Sequence, residues 1–196
     1  EHNIQGIGDK HVPLIHNVMN SDFVVGITDR ATNNLNMMFN TEIGQEYLTR
    51  KKGFDNNFVK RLPEFGFSAI ANILASIKLA KFMKLGKEDA IVTVATDGAD
   101  LYLSELNKTK EEFKNIYDET TCGEIFGEFL KGANTDNTLE LNQRDKERIF
   151  NLGYYTWVEQ QGINLDDFEK RRSQNFWDYH YKQMLSLDDK IKEFNN

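Results

Sequence analysis

One stretch limits the fold more than any other: "GFSAIANILASIKLAKFMKLG", Gly66 to Gly86, followed almost at once by "AIVTVATDG", Ala90 to Gly98. In the first, Ile70, Ile73, Leu74, Ile77, Leu79, Ala80 and Phe82 crowd one side and part of the flanks, with Ala and Ser elsewhere. That pattern predicts a helix covered by neighbours over most of its circumference. Ser68 is placed to cap its start and Gly86 to stop it. The second stretch is a β-branched run, which predicts a strand ending in an acidic turn. Helix, strand, polar turn and helix in succession predict an α/β fold, part of a parallel sheet flanked by helices. Ligands of such sheets gather beyond the carboxyl ends of the strands, and Asp97 stands at such an end.

The remaining chain divides around this pair. Ahead of it, "DFVVGITD" predicts a short strand buried on both faces, and Arg30 to Lys51 carries apolar residues at helical spacing, with a break near Gly44. Beyond Tyr102 the pattern is helical: Lys108 to Tyr117, Glu124 to Leu130 and Leu141 to Leu152 each predict a short helix. The tail segments "LGYYTWVEQQG" and "RRSQNFWDYHYKQML" hold both tryptophans and four of the seven tyrosines, a density that favours packing over chemistry. The expectation is a single domain over residues 1–196, with an α/β half over 1–106 and a helical, aromatic-rich extension over 107–196. A chain of 196 residues buries roughly 70% of its unfolded surface. No internal repeat is apparent.

Charge and cysteine usage narrow the partners. With 31 acidic against 24 basic side chains the net charge is −7, which disfavours a nucleic-acid backbone or an anionic membrane as ligand. No apolar run approaches the roughly 20 residues that span a bilayer, and no secretory pattern opens the chain. The one cysteine, Cys122, excludes an internal disulfide framework and suits a reducing compartment, so the cytoplasm is expected.

The chemical candidates are few. His2, His11, His16 and His180 form no HExxH arrangement, so no metal site is expected. "GIG" at Gly6 to Gly8 is common in turns and is not a phosphate-binding fingerprint. "TDGAD" lacks the oxygen-rich loop of an EF-hand. The residues alone leave Asp97 either capping a helix that begins near Ala99 or facing a ligand.

Three stretches in order carry a resemblance. "HNIQGIGDKHVP" resembles the "HKIQGIG" loop of cysteine synthases and cystathionine β-synthases, "GFSAIANILASIKLAK" their "GISSGA" helix, and "IVTVATDGADLYLSEL" their strand and "RYLS" turn. These are fold type II pyridoxal-phosphate enzymes, and the likeness covers roughly the first 105 residues, matching the carboxyl-terminal half of that fold. The resemblance implies pyridoxal 5′-phosphate as cofactor and α-proton abstraction, then β-elimination or β-replacement, on an amino-acid substrate. Gly6 and Gly8 would be glycines because a β-carbon would collide with the cofactor ring. Aligning Tyr102 with the tyrosine of "RYLS" puts Asp97 where cysteine synthases carry the serine that bonds the pyridine nitrogen. A carboxylate there favours the protonated ring, the stronger electron sink.

Lys10, His11 and Ser68 are the substrate-side candidates, against solvated loop charges for the first two and helix capping for Ser68. The family's Schiff-base lysine and its Gly-Thr-rich phosphate loop have no counterpart here. A companion amino-terminal half or subunit is therefore implied, within an oligomer that covers an otherwise open sheet edge. The alternative is a non-catalytic interaction or regulatory subunit that retains half of the fold and binds another protein through Tyr154, Tyr155, Trp157, Phe176 and Trp177.

Overall fold

The computed structural model describes residues 3–4, 11–114 and 116–195, with Leu185 described by its backbone only. Among these residues the chain is mostly helical, and its one sheet is a two-stranded antiparallel pair, β1 (Phe23–Val25) with β2 (Thr138–Glu140). Gly26 N–H donates to the Asn137 carbonyl at one end of the pair and Leu141 N–H to the Asp22 carbonyl at the other. The expected parallel sheet flanked by helices is therefore not the fold. The physical reason lies in residues 90–97: no strand pairs with this β-branched run, which lies exposed without regular structure. Val92 is 95% and Val94 66% exposed. Helix propensity and caps elsewhere outweigh β-propensity that has no ladder to join.

The described residues fall into two compact units, one of residues 3–4 and 24–139, the other of residues 11–23 and 140–195. In the first unit α1 (Asp29–Phe39) starts because the Thr28 hydroxyl accepts from Ala31 N–H, and it buries Leu35, Met38 and Phe39 at helical spacing. The sequence places one broken helix here, and the break falls at Asn40 and Thr41. Thr41 caps α2 (Glu42–Glu46), which runs into a π-helical turn, Tyr47–Lys51. Gly44 lies inside α2, and a β-carbon there would stand 2.1 Å from the Met38 carbonyl oxygen, so the sharp α1–α2 corner requires glycine.

After α3 (Asn56–Lys60), α4 (Phe67–Met83) is the expected apolar helix, with its start and stop shifted. Gly66, not Ser68, is the N-cap residue, and Lys84 in a left-handed conformation, not Gly86, closes it. Next come α5 (Leu103–Phe113) and α6 (Glu119–Ile125), the latter passing into a second π-helical turn, Phe126–Lys131. Both begin several residues ahead of the segments that periodicity marks out. The core of this unit gathers on α1, which α2, α4, α5 and α6 all touch, around Leu35, Met38, Val59, Ile70, Leu74 and Cys122.

The second unit is built from α7 (Gln143–Tyr154), which ends in a third π-helical turn, Tyr155–Gln160, then α8 (Leu165–Lys170) and α9 (Gln174–Asn195). A capping box starts α7: the Asn142 side chain accepts from Asp145 N–H while the Asp145 carboxylate accepts from Asn142 N–H. Its core is Val18, Phe150 and Phe168, with the two phenyl centroids 4.7 Å apart. Trp157 joins it and donates its indole N–H to the Val12 carbonyl at 2.8 Å.

The two units carry one backbone motif each in common. Lys52 N–H bonds the Tyr47 carbonyl, Gly53 the Thr49 carbonyl and Phe54 the Leu48 carbonyl; Gln161, Gly162 and Ile163 bond Thr156, Val158 and Trp157 in the same register. Gly53 and Gly162 both have φ +72°, and each follows another glycine, Gly44 or Gly153, at the same spacing. The sequences "IGQEYLTRKKGF" and "LGYYTWVEQQGI" thus form a repeat that their letters conceal.

Candidate functional site

The carboxylate singled out by the sequence sits at a turn held by its own backbone. The Asp97 carbonyl accepts from Gly66 N–H at 2.7 Å, and Val94 three residues earlier accepts from the Asn72 side chain at 2.9 Å. These two bonds tie the exposed 90–97 segment to the start of α4. A β-carbon at Gly66 would stand 2.5 Å from the Asp97 carbonyl oxygen and 2.8 Å from the Tyr102 ring, so glycine is what lets the strap close.

Tyr102 completes the corner. Its hydroxyl donates to Asp97 Oδ2 at 3.4 Å, a long bond, and its ring stacks edge-on against Phe67 with centroids 5.0 Å apart. Burial, then the neighbouring Asp97 carboxylate, push the Tyr102 phenol above its usual range, so it stays protonated and donates. Asp97 itself is exposed, and among the described residues no cation pairs with it. Ile4, at the head of the chain, packs with Phe67, Ala71 and Tyr102 in one buried cluster.

The sequence-derived candidates are distributed as follows. Gly6, Gly8 and Lys10 lie outside the described residues. Asp97 and the α4 start that bears Ser68 come together, with Ile4 against them; Ser68 is 1% exposed, on the first turn of α4. His11 belongs to the second unit, where its Nδ1 lies 3.0 Å from the Thr156 hydroxyl. No group of three or more His, Cys, Asp or Glu among the described residues is arranged to hold a metal ion. No single described helix is long and apolar enough to cross a membrane.

Two residues carry more than the letters suggest. Tyr102 is legible only as an alignment anchor, yet it is the donor to Asp97. Arg171, in the "EKRRS" run, reads as one of several surface charges, yet it is 5% exposed. The signal that marks it is the aromatic residues on both sides of that run.

No family model matches the chain and no solved structure matches it. Among curated proteins it is similar to the DNA-directed RNA polymerase subunit alpha of Emiliania huxleyi, 27% identical over 157 residues, 73% of this chain and 48% of that protein. The chain thus spans about half the length of that curated relative, and at this identity the similarity assigns no family.

Proposed function

We propose that the chain is the carboxyl-terminal part or subunit of a pyridoxal-phosphate-dependent lyase or synthase, acting on an amino acid by β-elimination or β-replacement. The supporting observation is convergence: Ile4, the Gly66–Ala71 turn of α4 and the Asp97–Tyr102 corner, one from each stretch of the resemblance, meet in one corner. Nothing in composition requires those three to meet.

The donor set fits one end of the cofactor. Asp97 is an exposed carboxylate whose one side-chain partner among the described residues is a neutral hydroxyl, so its charge is free to pair with a protonated ring nitrogen. When bound, the cofactor supplies an electron sink for the carbanion left after α-proton removal. Asp97 holds the ring-nitrogen proton, Tyr102 orients the carboxylate through Oδ2, and the Gly66 N–H fixes the backbone beneath it. The covalent-anchor lysine and the phosphate cradle come from a companion segment, and the exposed 90–97 run is the surface such a segment covers.

Pyridoxine 5′-phosphate, which has no aldehyde and cannot react with lysine, tests the reading. Its ring fluorescence titrated with the chain saturates, and Asp97→Asn weakens binding about tenfold, the effect of roughly 1.4 kcal/mol of lost charge pairing. Equal affinity in the two proteins overturns the proposal.

A second reading has its own observation. Met184, Leu187, Ile191 and Phe194 are exposed at heptad-like spacing along α9, the pattern of an unpartnered seam. An interaction subunit would lose its partner on Leu187→Glu with Ile191→Glu and be indifferent to Asp97.

A further inference from the structure

The second unit contains a groove of about 730 Å³ whose walls include Leu14, Ile15, Ile163, Phe176, Trp177 and Arg171. Its surface is mainly apolar, which makes the arginine the anomaly. Arg171 is 5% exposed, and its guanidinium lies 5.3 Å from the Phe150 ring centroid, 5.1 Å from Phe168 and 5.9 Å from Trp177. Among the described residues its side chain makes one hydrogen bond, from Nη2 to the His16 carbonyl at 3.4 Å, and Nε has no partner. Burial alone lowers its pKa, and the guanidinium remains charged.

The adjacent arginine shows what is missing. Arg172 pairs with Glu147 and Glu169 and donates to the Asn151 side chain at 2.7 Å. Arg171 has no carboxylate at all among the described residues. Asp167, on the groove wall, is paired with Lys170 at 2.7 Å. A buried cation held by ring faces and one long bond to a carbonyl is left with much of its desolvation cost uncompensated, and an anion brought beside it offsets that cost. The volume suits a ligand of a few fused or linked rings.

We infer that this groove binds a small organic anion, a carboxylate or sulfonate carried on a flat aromatic or branched apolar body, with the anionic head on Arg171 and the body against Phe176 and Trp177. The site lies within the second unit and does not depend on the cofactor reading.

Calorimetric titration of the full chain with naphthalene-2-carboxylate and with its uncharged isostere naphthalene-2-carboxamide tests it. The carboxylate binds at least tenfold more tightly than the amide; Arg171→Met removes that difference; Ile15→Trp, at a position 87% exposed and so without consequence for the fold, fills the groove and weakens the carboxylate at least tenfold. Equal affinities for acid and amide, no binding of either, or a carboxylate affinity unchanged by Ile15→Trp would overturn the assignment. Should circular dichroism show Arg171→Met to be unfolded, the acid-to-amide ratio and the Ile15→Trp result decide alone.

Discussion

At the scale of single residues, close approaches and the placing of protons decide what the fold tolerates. Gly44 is the tightest case: with its missing β-carbon only 2.1 Å from the Met38 oxygen, Gly44→Ala forces the α1–α2 corner open. Chemical denaturation should show a loss of about 2 kcal/mol or more, on the scale of other overpacked sites. Tyr117 supplies a pH prediction. Burial raises its phenol far above the ordinary value, with the Cys122 side chain adding to the rise. The folded state therefore keeps a proton that the unfolded chain releases near pH 10, so this contribution to stability is complete below that pH and falls as pH rises past it. Thermal melts at pH 9 and 11 should show a larger drop for the wild type than for Tyr117→Phe. An equal drop would mean that the ring is not held protonated. Asp97 was legible as a carboxylate at a turn, whereas its tie to Gly66 was not, because that bond closes a fold-back of about thirty residues that no local pattern encodes; its hydroxyl partner Tyr102 lies close by in sequence, but the bond depends on how the intervening turn folds.

At the scale of elements, apolar periodicity carried most of the readable information. The Leu35, Met38, Phe39 row of α1 sits where spacing puts it, because burial of one face decides it, whereas on α4 the cover is confined to the first turns: Ile70 and Leu74 of the expected stripe are buried and Phe82 is exposed. Ser68 and Gly86 misled because Gly66 can take the extended N-cap conformation while Lys84 takes a left-handed one, φ +55°, which a lysine reaches at modest cost. Residues 90–97 misled for a different reason: β-propensity reports fit to a pleated, half-buried surface, and here no such surface forms. The repeated helix ends were invisible because the two copies share little beyond their glycines. Each copy closes on a glycine at φ +72° with open space around it, so Gly53→Ala and Gly162→Ala should each cost about 1 kcal/mol in urea unfolding, and the corresponding Asn variants less. A cost below a few tenths of a kcal/mol at both would show that these ends do not set the helix stops.

At the scale of the whole molecule, a chain of net charge −7 carries an exposed β-branched run. Ile91, Val92 and Val94 lie in solvent with their backbone unpaired by any strand among the described residues, a template for pairing with another chain. Sedimentation at increasing concentration should show association of the wild type that Val92→Lys weakens; identical profiles would assign the run no role in assembly.

The proposed pairing of the Asp97 carboxylate with a protonated ring nitrogen of a vitamin-B6 cofactor has a direct test. Pyridoxine 5′-phosphate labelled with ¹⁵N in the ring reports that proton directly, at a pH where the free ligand has lost it. Bound to the wild-type chain the nitrogen should give the chemical shift of a protonated pyridine, and bound to Asp97→Asn that of a neutral one. A neutral-ring shift in the wild-type complex would contradict the account.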